Sequence, residues 1–213
     1  MKVYAWHFLR DDGTAHGGYR PPPVGELEEM DGDPVLCERG YHSSVRAIDA
    51  LGYAGGAIVR RTVHSGVIVR GDDKLVSTKR RAVWQADATR VLREWACWCA
   101  REALLRERRA GREPDPRSWA AIEVAMRFAR GDATVAELNA AWAAAWAAAW
   151  AAARAAARDA AWAAARAAAW AAAWVAARAA ARDAARDAAR AAQNKKLEQM
   201  LLALGREARE GRR

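Results

Sequence analysis

Short apolar runs, separated by stretches rich in glycine and proline, make up the first part of the chain. The run at 3–9 (VYAWHFL) is apolar on both faces of a strand, which is typical of a buried strand. Runs rich in isoleucine and valine at 57–63 and 67–70 predict two further strands, with a turn at 64–66 between them. The pattern therefore predicts a small mixed α/β domain over residues 1–86.

Beyond this domain the apolar spacing changes from that of strands to that of helices. Apolar residues recur at helical spacing as far as a break at 111–116, which contains glycine and proline. Asp115 is placed to cap a second helix that has proline at its first position, and Gly131 is placed to end it. We predict two connecting helices over 87–131.

A four-residue repeat dominates the last segment, residues 132–213. A capping box at Thr134 and Glu137 begins the segment, and no glycine or proline occurs from 133 to 204. Most positions are alanine, the residue with the highest helix propensity, so the segment is predicted to be helical. Every fourth residue is large, either arginine or one of the tryptophans Trp142, Trp146, Trp150, Trp162, Trp170 and Trp174.

The period of four determines how these large side chains are arranged around the helix. Four residues advance about 40° beyond one full turn, so the large residues wind around the helix instead of forming a straight stripe. This excludes the heptad pattern of a coiled coil. Because burial of one large aromatic side chain is worth about 2–3 kcal/mol, we expect the segment to fold back as a hairpin or bundle, or to self-associate.

The end of this segment carries a more regular apolar face. Leu197, Met200, Leu201 and Leu204 follow the i, i+3, i+4, i+7 spacing of an amphipathic helix. We expect this C-terminal helix to dock on another part of the chain, most simply on the two connecting helices.

The charge is concentrated in one part of the chain. The net charge is +9, and residues 95–213 carry 21 basic against 13 acidic side chains. Such a region attracts nucleic acid or an anionic membrane surface, so both are alternative partners. The excess of arginine over lysine is also what a GC-rich gene produces, and a nucleic-acid role is not favoured.

Composition excludes several other classes of protein. Three cysteines are too few for a disulfide scaffold in a chain of 213 residues. The longest apolar run of the repeat, 140–153, is too short to cross a bilayer as a helix. The first residues lack the cleavage site of a signal peptide. We therefore expect a cytoplasmic protein without a transmembrane segment.

Candidate chemistry is confined to the first 90 residues. His7 and His42 carry imidazoles that acid–base chemistry uses, and the Ser44 hydroxyl is a possible nucleophile that is also placed to cap a short helix. Cys37 lies at metal-ligand spacing from His42, but a second pair of ligands is missing. We therefore expect no metal and no cofactor, and the sequence favours a protein without enzyme activity.

Several motifs resemble an uncharacterised domain family of bacteria and phages. They are KVYAWHFL at 2–9, LCERGYHSS at 36–44, DALGYA at 49–54 and GDDK at 71–74. This resemblance implies a shared small α/β domain and no reaction. The C-terminal repeat is similar to alanine-rich helical repeats of bacterial proteins, some of them named as immunity proteins.

A fainter likeness links the same region to ADP-ribosyltransferase-like folds. It rests on the GYHSS segment followed by a helix containing ALGYA. The nicotinamide-site pattern of those folds implies that His42 and Tyr53 lie near a ligand.

Together these observations predict an α+β protein, a small mixed α/β domain followed by an all-helical region rich in Ala, Trp and Arg. The favoured hypothesis is a non-enzymatic protein whose repeat packs on itself or on a protein partner. The alternative is a domain that handles a small molecule or nucleotide around His42. A cavity lined by His7, His42, Ser44 and Tyr53 would favour this alternative, whereas a filled site would favour the first hypothesis.

Overall fold

The N-terminal part of the chain forms an antiparallel sheet. The computed structural model describes residues 2–148, 150 and 171–211, with the backbone alone described over 171–183. In these residues the strands are β1 (Val3–Leu9), β2 (Leu27–Glu29), β3 (Tyr41–Ser43), β4 (Ile58–Arg70) and β5 (Leu75–Asp87). Their order is β1-β4-β5-β2, and β3 also pairs with β5.

The rest of the described chain is helical. The helices are α1 (Ala47–Leu51), α2 (Thr89–Arg109), α3 (Pro116–Arg130), α4 (135–148) and α5 (Ala171–Glu210). The predicted α+β class is therefore confirmed. Two compact units are present: Met1–Leu92 with Gln193–Arg213 forms the first, and Arg93–Ala192 forms the second.

The sheet of the first unit closes on itself. Ser44, which directly follows β3, pairs with Trp6 in β1. The Trp6 N–H donates to the Ser44 carbonyl at 2.7 Å, and the Ser44 N–H donates to the Trp6 carbonyl at 3.0 Å. The strands β1, β4, β5 and β3 consequently form a ring. The expectation that Ser44 caps a helix was wrong: its backbone is used by β1, and α1 begins three residues later with Arg46 as N-cap.

β4 runs without interruption through the segment that was predicted to be a turn. The ladder to β5 continues at His64 and shifts register after Ser65. Gly66 at this shift has a φ of +74°, which glycine adopts without strain. The Val67 N–H donates to the Thr78 hydroxyl oxygen at 3.1 Å. The segment predicted to be a turn is therefore a β-bulge, and Gly66 adopts the positive φ found at this bulge.

The C-terminal end of α5 packs within the first unit. Leu197 and Leu201 are fully buried. Gly205 lies so close to the Trp84 ring of β5 that a Cβ atom would have no room. Trp84 in turn meets Trp6 edge to face, with ring centroids 5.9 Å apart. The amphipathic face was expected on the connecting helices, whereas the residues that carry it belong to the first unit, where Gly205 lies against the sheet.

The same helix end also caps α1. The Asn194 side-chain oxygen accepts the Ile48 N–H at 3.0 Å, and the Glu198 carboxylate accepts the Ala47 N–H at 3.1 Å. The first N–H groups of a helix have no partner within it, and Arg46 supplies no side-chain cap. Two polar side chains from the far end of the chain thus complete this short helix.

The predicted helix boundaries of the second unit are confirmed. The Asp115 carboxylate accepts the Arg117 N–H at 2.9 Å and caps α3, and Gly131 ends it with a φ of +87°. Thr134 and Glu137 form the capping box that begins α4, with each side chain bonding the other residue's N–H. The expected fold-back of the repeat falls mostly on 151–170, outside the described residues. No described helix has the length and apolarity that a membrane span requires.

Candidate functional site

One cavity of the first unit brings together all four candidate pocket residues. His7 lies on β1, His42 on β3, Ser44 at the closure of the ring, and Tyr53 just after α1. The cavity has a volume of about 330 Å³, and its other lining residues are Trp6, Phe8, His16, Cys37, Ser43, Ala50 and Lys74. Closure of the ring places these residues together, since it joins the β1 edge to the segment after β3.

His42 holds the loop on one side of the cavity. Its Nε2 accepts the Cys37 N–H at 2.9 Å, and its Nδ1 lies 3.1 Å from the Gly40 carbonyl oxygen. An N–H can only donate, so Nε2 is unprotonated and the proton sits on Nδ1. Burial lowers the pKa of His42, with a smaller contribution from Lys74 and Arg80, although the bond to Gly40 opposes the shift. His42 is therefore neutral, and both of its ring nitrogens are already used.

His7 has hydrogen-bonding capacity that the described residues leave unused. Its Nδ1 is buried and finds no hydrogen-bond partner among them. Burial, followed by the positive charges of Arg80 and Arg60, lowers the pKa of His7 well below its ordinary value. Buried polar side-chain atoms are seldom left unpaired. A neutral imidazole with a free nitrogen thus forms part of the cavity wall.

A polar cluster stands on the opposite side of the cavity. Hydrogen bonds to the Cys37 thiol and the Tyr53 hydroxyl raise the pKa of Lys74 to about 12. The Lys74 ammonium also lies 4.6 Å from the centre of the Tyr53 ring. The Tyr53 hydroxyl donates to the Asp73 carboxylate at 2.5 Å. Cys37 is exposed and has a φ of +65°, a backbone conformation that side chains other than glycine rarely adopt.

A second cavity adjoins the first. It has a volume of about 380 Å³ and shares His7, His16, Cys37 and His42 with the first cavity. Its wall includes the buried guanidinium of Arg80, which makes two bonds of 2.7 Å to the Glu28 carboxylate and one of 2.9 Å to the His42 carbonyl. Each of the three guanidinium nitrogens of Arg80 therefore donates a hydrogen bond, and its charge is balanced by Glu28.

A chain of buried polar side chains fills the ring beside the cavities. The Ser77 hydroxyl donates to the Lys79 carbonyl, so its oxygen accepts from Nδ1 of His64 at 2.7 Å. Nε2 of His64 lies 3.2 Å from the Thr62 hydroxyl. Burial, with a smaller effect of Arg80, lowers the pKa of His64 to about 3. The polar interior is thus built around a neutral histidine.

Sequence reasoning found part of this site. Lys74 and His16 were missed, and Cys37 was considered only as a metal ligand. Among the described residues, no group of three or more His, Cys, Asp or Glu is placed to hold a metal ion. The GDDK motif contains Lys74 and could have pointed to it as a site residue. The contact of Lys74 with Cys37, however, depends on the pairing of β3 with β5.

The tryptophans of the repeat lie in the second unit. Trp142 and Trp146 are more than half exposed, and their rings stack with centroids 5.7 Å apart. Trp150 is about half exposed. Trp162 and Trp170 lie outside the described residues, and Trp174 falls in the part of α5 where the backbone alone is described.

Comparison with protein-family models, curated proteins and solved structures finds no match for this chain. The resemblance to the bacterial and phage family therefore stays a prediction, and so does the likeness of the repeat to those of immunity proteins. The function has to be argued from the cavity itself.

Proposed function

We propose that the N-terminal unit binds a planar small molecule of the nucleotide type in the cavity of about 330 Å³. The observation that carries this proposal is the meeting of His7, His42, Ser44 and Tyr53 at one cavity. A concave, mostly apolar pocket with a few convergent polar groups is the usual form of a small-molecule site.

The chemistry of the walls supports a flat ligand with an anionic group. Tyr53 is 55% exposed and provides aromatic surface for a ring, whereas Trp6 and Phe8 are almost fully buried. The Lys74 ammonium at the cavity suits a phosphate or carboxylate.

Binding without turnover is the simpler form of this proposal. A general base needs a free nitrogen within reach of the substrate. Both nitrogens of His42 are occupied by backbone groups, so His42 is a positioning residue for the Cys37 loop. The expectation of a protein without enzyme activity stays a prediction.

A ligand screen tests the proposal. NAD, ADP-ribose, AMP and nicotinamide are added to the full chain, and the melting temperature is measured. A ligand present at 100 times its Kd stabilises the folded state by about 2.7 kcal/mol, which moves the melting temperature by several degrees. Absence of a shift with every compound would contradict the proposal.

A matched pair of variants locates the binding. Tyr53→Leu removes a cavity residue that is 55% exposed, whereas Tyr4→Leu removes a residue that is 54% exposed and does not line the cavity. We expect Tyr53→Leu to weaken the ligand-induced shift and Tyr4→Leu to preserve it. If both variants weaken the ligand-induced shift equally, the ligand does not bind in this cavity.

The second candidate function is a protein contact through the repeat, supported by the exposed, stacked rings of Trp142 and Trp146. Exposed aromatic patches mark interaction surfaces. Sedimentation of the full chain and of the Trp142→Ala/Trp146→Ala double variant tests it. We expect the full chain to self-associate and the variant to associate more weakly. A monomeric full chain with solvent-quenched tryptophans would count against this candidate. Binding of nucleic acid or of an anionic membrane stays a prediction.

A further inference from the structure

We propose that a further cavity of the first unit, beside Arg60, binds the carboxylate or phosphate group of a small organic anion. The cavity has a volume of about 320 Å³. Arg60 of β4 and Gln85 of β5 line it, together with Arg20 and the prolines at 21–23. None of its lining residues belongs to the two cavities around His42, so this site is separate from the nucleotide site of the proposed function.

Arg60 is a buried cation without an ion-pair partner. It is 3% exposed, and the other buried charged side chains of the described residues are Glu28, Arg80 and Asp49. Glu28 pairs with Arg80 at 2.7 Å, and Asp49 pairs with the exposed Arg46 at 2.8 Å. Arg60 forms no such pair within the described part of the chain. Because a buried charge is costly when it is unpaired, an anion in the adjoining cavity would supply what this site lacks.

Two guanidinium groups face one carboxylate in this part of the interior. Burial lowers the pKa of Arg60, and the Glu28 carboxylate partly opposes this shift. Glu28 already accepts two hydrogen bonds from Arg80, each of 2.7 Å. Since arginine stays protonated in proteins, the excess of positive charge persists in the folded chain.

The guanidinium of Arg60 keeps one nitrogen for a ligand. Its Nε donates to the Gln85 side-chain oxygen at 2.7 Å, and its Nη2 donates to the Pro22 carbonyl at 2.5 Å. Its Nη1 makes no hydrogen bond within the described residues. No atom of Arg60 is among the described side-chain atoms that are both unpartnered and sealed from solvent, so Nη1 is accessible. Two bonds thus fix the group, and a third donor remains available at the cavity that Arg60 lines.

Two more donor side chains line the same cavity. The Gln85 oxygen accepts from Arg60, so its amide nitrogen is the group left to donate. Arg20 is exposed and brings a second guanidinium to the lining. Of the described residues that line the cavity, none is acidic. Because arginine forms charge-assisted hydrogen bonds with carboxylate and phosphate groups, this lining favours an oxyanion.

The loop that forms one wall of the cavity is stiff before a ligand arrives. Three consecutive prolines at 21–23 fix its φ angles. The Gly25 N–H donates to the Ala82 carbonyl at 3.0 Å, which fastens the loop to β5. A preorganised site loses little conformational freedom on binding. Pro23 is exposed and Val24 is half-buried, so they provide apolar surface for the body of an organic anion.

Isothermal titration calorimetry of the full chain at constant ionic strength tests this site with benzoate, phenyl phosphate and neutral benzamide. We expect one site for at least one of the two anions and no binding of benzamide, and the tighter anion identifies the preferred group. Arg60→Gln should abolish binding, and Arg20→Gln should weaken it about tenfold. Arg70→Gln is the matched control, because this exposed arginine of β4 does not line the cavity and its loss should leave the affinity unchanged.

Four outcomes overturn the inference. Benzamide binding as tightly as the anions would show that the charge of Arg60 is not recognised. Equal weakening by Arg20→Gln and Arg70→Gln would assign binding to the basic surface in general, and this comparison holds even if Arg60→Gln does not fold. Binding that is lost in Tyr53→Leu and kept in Arg20→Gln would place the anion in the first cavity. Neither heat nor a change in melting temperature with either anion would also overturn it, while a shift with a nucleotide would leave the proposed function standing.

Discussion

The two units of the chain place their polar and aromatic side chains in opposite ways. The first unit buries charged and polar groups, among them Arg80, Glu28 and His64, inside a small ring of strands. The second unit exposes large aromatic rings, with Trp142 and Trp146 on the surface of α4. Both arrangements oppose the usual distribution of residues between interior and surface. We propose that each unit functions where it departs from that distribution.

The buried polar groups of the first unit are almost all paired. Arg80 and Glu28 satisfy each other, and His64 bonds two hydroxyl groups. The exceptions among the described residues of this unit are Nδ1 of His7 and one guanidinium nitrogen of Arg61. In the second unit the ion pairs lie at the surface, where they contribute little to stability.

Removal of one partner of the buried ion pair should have the largest effect. Arg80→Met leaves the Glu28 carboxylate buried without its main partner, so we expect a loss of about 3–5 kcal/mol in the free energy of unfolding, measured by chemical denaturation. Lys79→Met is the matched control, because the neighbouring Lys79–Glu29 pair is exposed and should cost less than about 1 kcal/mol. Equal losses in the free energy of unfolding for the two variants would show that the buried pair stabilises the fold no more than the exposed pair.

Docking of the C-terminal helix should give the next largest effect. Leu201 is fully buried and Leu202 is 40% exposed. We expect Leu201→Ala to cost about 2–5 kcal/mol in the free energy of unfolding and Leu202→Ala clearly less. A Leu201→Ala variant as stable as the wild type would contradict the placement of residues 193–213 in the first unit.

Acid should destabilise the first unit gradually, and the loss from one histidine over one pH unit is smaller than either loss above. The pKa of His64 is lowered from 6.5 to about 3, and those of His7 and His42 are lowered as well. Between about pH 6.5 and pH 3 the unfolded chain binds protons that the folded chain does not, so stability falls as the pH falls, by up to about 1.4 kcal/mol per pH unit for each histidine.

The His64→Gln variant identifies the contribution of this histidine. Its denaturation midpoint should depend less steeply on pH between 4 and 6 than that of the wild type, whatever its stability at pH 7. Parallel curves for the two proteins would contradict the assignment of a neutral His64 in the folded state.

Local patterns in the sequence predicted the local structure well. The cap at Asp115, the box at Thr134 and Glu137, and the buried first strand all depend on residues within a few positions of one another. The errors involve partners that are distant in the sequence. Gly66 forms a bulge because β5 continues the ladder beside it.

The candidate site shows the same division between local and long-range information. His7, His42, Ser44 and Tyr53 were selected as residue types with suitable chemistry, and the ring brings them together. The occupation of both His42 nitrogens by the backbone could not be read from the sequence. Lys74 was missed because its contact with Cys37 joins residues 37 positions apart.

Long-range ¹H–¹⁵N spectra of the full chain, labelled with ¹⁵N-histidine, test whether the cavity lined by His7 binds a ligand. At pH 7 we predict neutral rings for His7, His42 and His64. A ligand that raises the melting temperature should shift the His7 Nδ1 resonance and leave His64 unchanged. An unchanged His7 at saturating ligand, or a shift confined to His16, would contradict the account.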